Sequence, residues 1–130
     1  MIDPKWVTRQ LVEFIHEGVI EIGGGSPGLR DAALLESALA RPQNLHAYGE
    51  TDIFQLAASY AEGIARNHAF VDGNKRTAFF VANDFLEQNG YELQSAVGQE
   101  HADMMVELGQ GNISREEAAE HLLKYSVQID

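Results

Sequence analysis

Side chains able to do chemistry are concentrated in one run of ten residues, His68-Ala69-Phe70-Val71-Asp72-Gly73-Asn74-Lys75-Arg76-Thr77. The run holds a histidine, a carboxylate, a glycine, an asparagine and two adjacent cations. An apolar helical pattern follows at once and continues through Leu86. The run therefore predicts a loop that leads into a helix N-terminus, where a base, a metal ligand and an anion-binding group lie side by side.

The two cations are the first sign of a bound anion. Lys75 and Arg76 fall in the first helical turn, where the positive end of the helix dipole disfavours cations. An anion bound at that end would reverse this disadvantage. Gly73 permits a positive φ in the preceding turn, and successive N–H groups there can bind phosphate. The pattern thus predicts a phosphate site.

The flanking polar residues extend this site to a metal and a base. Mg²⁺ that accompanies a nucleotide prefers one or two carboxylates together with phosphate oxygens, which suits Asp72. His68, before the turn, can accept a proton near neutral pH. The run is not a Walker A loop, because Asn74 separates Gly73 from Lys75 and no glycine precedes them at the required spacing.

The run resembles the signature of the Fic/Doc family, His-x-Phe-x-[Asp/Glu]-Gly-Asn-[Gly/Lys]-Arg. Seven positions match it, namely His68, Phe70, Asp72, Gly73, Asn74, Lys75 and Arg76. The resemblance extends upstream over residues 24–31 and 34–39, and downstream to 89–91. It implies an all-α fold, a compact single-domain bundle of about six helices in which a central buried helix follows the motif loop.

Two positions indicate the branch of the family. Relatives that transfer AMP carry glycine at the position of Lys75 and a second arginine at the position of Phe79. The chain therefore resembles the death-on-curing (Doc) branch, whose members are toxins of a type II toxin–antitoxin system. This resemblance implies ATP-dependent phosphorylation of a threonine or serine hydroxyl on a protein, with translation elongation factor Tu as the target. AMP transfer and a non-catalytic module, binding an antitoxin or acting as its corepressor, remain alternatives.

The resemblance also implies roles for individual residues. Four would be catalytic, with His68 as general base, Asp72 as the Mg²⁺ ligand, and Lys75 and Arg76 neutralising the phosphoryl charge. Gly73 and Asn74 would cradle the phosphates of ATP through backbone and amide donors, together with the same two cations. The implied partners are the protein substrate and a Phd-like antitoxin that lays a helical tail into a groove.

Composition sets limits on function. The chain has 130 residues and no cysteine, which predicts one domain over residues 1–130 without disulfides. A net charge of −11 disfavours direct binding of nucleic acid. No apolar run approaches membrane-spanning length, and Met1-Ile2-Asp3-Pro4 does not resemble a signal peptide. A cytoplasmic location is expected.

Helical periodicity and caps predict the supporting elements. Asp3 and Pro4 would start the first helix, whose apolar stripe is Val7, Leu11, Phe14, Ile15, Val19 and Ile22. Residues 23–28 would form an ordered turn. Asp31 would cap a second helix that stops near Pro42, and residues 44–50 would be a polar connector acting as the family's substrate-binding flap.

The rest of the chain predicts four more helices. A stripe over residues 53–65 ends by delivering His68, and the helix after the motif ends at Asn89-Gly90. Another helix covers residues 99–108. Ser114 to Glu117 form a capping box for the last one, packed by Ala118, Leu122, Leu123 and Val127. The remaining histidines, at positions 16, 46, 101 and 121, show no ligand spacing and are interpreted as surface or packing residues.

Overall fold

The computed structural model describes residues 3–129, which form six α-helices and two short strands. In chain order these are α1 Arg9–Gly23, α2 Ala32–Ala47, α3 Ile53–Asn67, α4 Asn74–Gln88, β1 Tyr91–Leu93, α5 Glu100–Gln110, α6 Arg115–Lys124 and β2 Ser126–Gln128. The strands pair antiparallel, with Glu92 opposite Val127. The predicted all-α bundle is confirmed, with one small sheet added.

Helix α3 lies at the centre of the packing and contacts α2, α4, α5 and α6. Ten of its fifteen residues are buried, because alanines and a glycine occupy most of its circumference. At Gly63, a Cβ atom would come within 3.2 Å of the Ala38 Cα atom, so glycine allows α2 to approach closely. The helix that precedes the motif is therefore held from several sides.

Helix α4, which follows the motif, buries an apolar face made of Ala78, Val81, Ala82, Phe85 and Leu86. The Phe85 ring stacks on Trp6 and tilts against Tyr60, with centroids 6.0 and 5.1 Å away. The Tyr60 hydroxyl accepts a hydrogen bond from the Val7 N–H group, while burial raises the Tyr60 pKa to about 12. The core thus extends to the N-terminal segment.

Several predicted caps are confirmed. The Asp31 side chain accepts from the Leu34 N–H group at 3.1 Å and begins α2. Asn89 ends α4, followed by Gly90 with a φ of 95°. Ser114 and Glu117 form the complete capping box of α6. These local signals fix the start of α2, the end of α4 and the start of α6.

The first helix begins later than predicted. Thr8, not Asp3, is the N-cap of α1, and residues 3–8 are not helical. Tertiary contacts explain the difference, because the Asn89 side chain hydrogen bonds to both the N–H and C=O groups of Lys5. The predicted stripe also fails at Phe14 and Ile22, which are 70% and 91% exposed.

The second helix does not stop near Pro42 as predicted. It continues through Pro42 to Ala47, although proline cannot donate the hydrogen bond to the Ala38 carbonyl. The buried Pro42 ring packs in the interior and offsets part of that loss. The predicted connector over residues 44–50 is therefore wrong in its bounds, since 44–47 are helical and only residues 48–52 link α2 to α3.

The packing of the C-terminal residues also differs in part from the prediction. Ala118 and Leu122 are buried as predicted, whereas Leu123 and Val127 are exposed. Val127 lies in β2, and its pairing with β1 fixes the chain end across the C-terminus of α4. Within residues 3–129, no helix has the length and apolar character required to cross a membrane.

Candidate active site

The motif forms the loop between α3 and α4, and His68 turns the chain at its start. His68 is the C-cap of α3 with φ 50° and ψ 46°, the only non-glycine residue with positive φ among residues 3–129. The Arg30 guanidinium donates to the His68 carbonyl from Nε, at 3.0 Å, and from Nη2. This strained position leaves the His68 side chain exposed at the edge of a cleft.

The segment before α2 lies antiparallel beside the loop. Val71 donates its N–H group to the Gly28 carbonyl at 3.0 Å, and Leu29 forms a bridge with Phe70. The N–H groups of Arg30 and Asp31 both donate to the Ala69 carbonyl, at 2.7 and 3.0 Å. The loop is consequently fixed along its length by backbone hydrogen bonds, and residues 24–30, not 44–50, run beside the motif.

Asn74 has a different role from the one expected for its side chain. Its Oδ1 atom accepts from the Phe70 N–H group at 3.0 Å, and its Nδ2 donates to the Phe70 carbonyl at 2.9 Å. The side chain is buried and ties the loop to the helix start. Only the backbone N–H group of Asn74 is therefore left to donate to a ligand at the helix start.

The N-terminus of α4 is open. Gly73 is the N-cap, with a φ of 75°, and no side chain caps the helix. The N–H groups of Asn74, Lys75 and Arg76 make no hydrogen bond to any residue in the described part of the chain. Three unpaired donors at the positive end of a helix are groups that can donate to an anion.

Asp72 is held as a carboxylate at this helix end. Its Oδ1 atom accepts from the Gly73 N–H group at 2.8 Å, and its Oδ2 from the Ser26 N–H group at 3.2 Å. These two hydrogen bonds, aided by the nearby charges of Arg76 and His16, lower the Asp72 pKa below its usual value of 3.8. Asp72 is exposed and ionised at neutral pH.

Arg76 connects the motif to the C-terminal end of α1. Its Nη2 donates to the Gly24 carbonyl at 3.0 Å and its Nη1 approaches the Val19 carbonyl at 3.4 Å, so both neutralise the end of that helix. A Cβ atom at Gly23 would lie 2.5 Å from Nη1, and one at Gly25 would lie 2.8 Å from the Asp72 Oδ2 atom. The glycine run predicted as a turn thus accommodates two motif side chains.

A cleft of about 740 Å³ opens over the motif. All seven motif positions except Phe70 line one side of it. The other wall is apolar and aromatic, with Phe79, Phe80, His101, Met105 and Val106. The volume falls within the range of about 300–1,000 Å³ typical of small-molecule sites.

Lys75 lies exposed at the mouth of this cleft. Its side chain crosses toward α5, where a Cβ atom at Gly109 would lie 3.3 Å from the Lys75 Cε atom. No carboxylate in the described part of the chain lies within 4 Å of its ammonium group. The charge of Lys75 is therefore available to an anion.

The donor set fits a magnesium ion that arrives with phosphate. Within residues 3–129, no cluster of three or more histidine or acidic side chains could hold a metal by itself. Asp72 offers one exposed carboxylate beside three open N–H groups, which is the set that Mg²⁺ with a polyphosphate requires.

Sequence reasoning missed the histidines and one arginine near the motif. Buried His16 binds the Asp72 carbonyl, and Arg30 binds His68. His101 and His121 are hydrogen bonded at 2.8 Å, and burial lowers the His121 pKa. A polar residue within the apolar stripe of α1 was the signal that could have identified His16.

The lowered pKa of Asp72 has a measurable consequence. The stability that comes from its hydrogen bonds is complete above pH 3.8 and is lost as the pH falls below it, through the lower pKa of the folded state. Carbon-13 NMR of the Asp72 carboxyl should give a midpoint below 3.8. A midpoint at or above that value would contradict the hydrogen bonds, and Asp103→Asn on α5 is the matched control that should leave it unchanged.

Two glycines of α1 should differ in how substitution by alanine changes the free energy of unfolding. Gly18→Ala meets no atom within 4 Å and should raise the free energy of unfolding by about 0.5–1 kcal/mol. Gly23→Ala displaces the Arg76 guanidinium and should give no such gain. Urea unfolding measures both values, and the Arg76 Nε–H signal in NMR should shift only in Gly23→Ala. An equal gain in both variants would show that Arg76 does not need Gly23.

Known proteins resemble this chain over most of its length. Protein kinase doc of Escherichia phage P1 is 38% identical over 109 residues, which cover 83% of this chain and 85% of the phage protein. Toxin Doc of Mycolicibacterium smegmatis is 42% identical over 90 residues, covering 65% and 68%. The family model described as the Fic/DOC family matches residues 6–86. The open helix end, the matched motif and these similarities lead to one conclusion, that the chain belongs to the Fic/DOC family, in its Doc branch.

Proposed function

We propose that this protein is a Doc-like toxin that phosphorylates a threonine or serine hydroxyl of a protein, with elongation factor Tu as the first candidate, and so inhibits translation. The observation that carries the proposal is the single cleft in which His68, ionised Asp72, Lys75 and the open end of α4 meet. The names of the two relatives, a protein kinase and a toxin, support the same assignment.

The open end of α4 binds the phosphates in this proposal. The N–H groups of Asn74, Lys75 and Arg76 donate to phosphate oxygens, and the helix dipole adds to their attraction. Asp72 would hold the magnesium ion, which would help to balance the charge of the phosphates. Bound Mg·ATP supplies the phosphoryl group that is transferred. The aromatic wall of Phe79 and Phe80 is suited to pack against the nucleotide base.

His68 acts on the target hydroxyl. It accepts the hydroxyl proton as the oxygen forms a bond to the γ-phosphorus, and the bond from that phosphorus to the ADP oxygen breaks. Lys75 neutralises the charge on the phosphoryl oxygens, and Arg76, whose guanidinium is held by the end of α1, adds its charge from the side of the cleft. Positioning and electrostatic stabilisation are the main requirements of phosphoryl transfer, so this short motif suffices.

Lys75 and Phe79 favour a kinase over an AMP transferase. Lys75 places a cation at the cleft mouth, and Phe79 extends the apolar wall where an AMP-transferring relative carries its second arginine. Both features support γ-phosphoryl transfer. AMP transfer and a non-catalytic antitoxin-binding or corepressor module are the competing functions, and both are tested below.

Labelled ATP distinguishes these functions. The purified chain with Mg²⁺ and elongation factor Tu should transfer label from the γ-phosphate of ATP and none from the α-phosphate. His68→Gln should reduce transfer by about 10²–10⁴-fold, because a positioned general base contributes that much. His46→Gln, which changes a histidine that packs edge-on against Trp6, is the matched control and should retain full transfer.

Other results would change the assignment. Label from the α-phosphate would establish AMP transfer and contradict the role given to Lys75. Absence of both labels, with antitoxin binding intact, would favour the non-catalytic module. Full transfer by His68→Gln would exclude His68 as the base.

We also infer that a Phd-like antitoxin occupies the groove between α1 and α4. This groove, of about 510 Å³, is lined by apolar residues that include Ile15, Val19 and Ile22, and Phe80 forms part of its edge. The Asn83 Oδ1 atom is buried there without a hydrogen-bond partner in the described part of the chain. An apolar groove of this kind suits the apolar face of an amphipathic helix.

Substitution of the most exposed groove residue tests this location. Ile22, 91% exposed, would become buried under the antitoxin, so Ile22→Ser should weaken binding about tenfold in calorimetry. Val97→Ser changes an exposed apolar residue outside the groove and should bind like the unmodified chain. Equal affinity of both variants would place the antitoxin elsewhere.

A further inference from the structure

We propose that His16 is a positioning residue for phosphoryl transfer, which helps to keep the first turn of α4 open for the nucleotide by holding the Asp72 carbonyl in place. The inference rests on the proposed function and extends it to a residue outside the motif. His16 lies on α1, more than fifty positions before the loop it binds.

The contact is a buried hydrogen bond. His16 is 4% exposed and shares its face of α1 with Val12 and Val19. Its Nε2 lies 2.8 Å from the Asp72 carbonyl oxygen, and because a carbonyl can only accept, Nε2 carries the proton. Burial of an imidazole is unfavourable without such a bond. The hydrogen bond to the Asp72 carbonyl satisfies the buried imidazole.

The role of the His16 hydrogen bond follows from its acceptor, the Asp72 carbonyl. In a regular helix, an N–H group donates to the carbonyl four residues earlier, so the Asp72 carbonyl would be the acceptor for Arg76 if α4 were longer. Gly73 turns the chain with its positive φ, and the Arg76 N–H group makes no hydrogen bond to that carbonyl. His16 holds the carbonyl in this position. The Arg76 N–H group therefore remains free for a phosphate oxygen.

The imidazole also contacts a second residue of the loop, Phe70. Its ring stacks on Phe70 with centroids 3.9 Å apart and planes 11° from parallel. The Phe70 backbone is in turn held by the Asn74 side chain. One side chain from α1 thus contacts both the apolar anchor Phe70 and the Asp72 carbonyl of the motif loop.

Paired substitutions separate the hydrogen bond from the stacking. His16→Gln keeps an N–H donor at a reach similar to Nε2, whereas His16→Phe keeps an aromatic ring and removes the donor. We expect His16→Phe to lower kcat by about tenfold or more with KM for the target protein nearly unchanged, because positioning acts in the transition state. His16→Gln should recover most of kcat. His46→Phe, which lies against Trp6, is the control and should keep full activity.

Amide hydrogen exchange gives a readout that does not require turnover. The Phe70 N–H group, bonded to Asn74, should exchange about tenfold faster in His16→Phe than in the unmodified chain, and at an unchanged rate in His16→Gln and His46→Phe. If His16→Phe does not fold, His16→Asn replaces it, because its shorter amide cannot reach the Asp72 carbonyl.

Three outcomes would overturn the positioning role. These are an undiminished kcat in His16→Phe, an equal loss of kcat in the phenylalanine and glutamine variants, and unchanged exchange at Phe70. If the unmodified chain transfers no label at all, the proposed function fails, and the exchange comparison alone then decides the role of His16.

Discussion

The structure of the site depends on keeping the N-terminus of α4 without a cap while its surroundings stay rigid. A helix start is normally satisfied by a side chain, by water or by a ligand. Here the nearest polar side chains are directed to other partners. Asn74 turns back to Phe70, His16 binds the Asp72 carbonyl, and Arg76 reaches the end of α1. The three open N–H groups are the result of this arrangement.

Rigid support for the open end comes from the core beneath it. Helix α3 is buried on most sides and delivers His68 in a left-handed conformation that Arg30 secures. Helix α4 is fixed at its far end by Phe85 and by the hydrogen bonds between Asn89 and Lys5. A site that acts through positioning requires support of this kind, since small displacements reduce catalysis strongly.

Local signals in the sequence predicted the helices, most caps and the motif loop, because those features depend on neighbouring residues. The errors fall where distant contacts prevail over local preference. Asn89 and Tyr60 hold residues 3–8 out of the helix, and the buried Pro42 ring lets α2 continue. The roles of His16 and of Gly23 also depend on residues about fifty positions away, which periodicity cannot show.

Phe80 and Arg76 border both the cleft over the motif and the groove between α1 and α4. The two cavities therefore share a wall, and a molecule that shifts these side chains on entering one cavity alters the shape of the other. Thermodynamic linkage makes any such effect reciprocal, so a groove ligand that strengthens or weakens nucleotide binding is itself bound more or less tightly by the same factor.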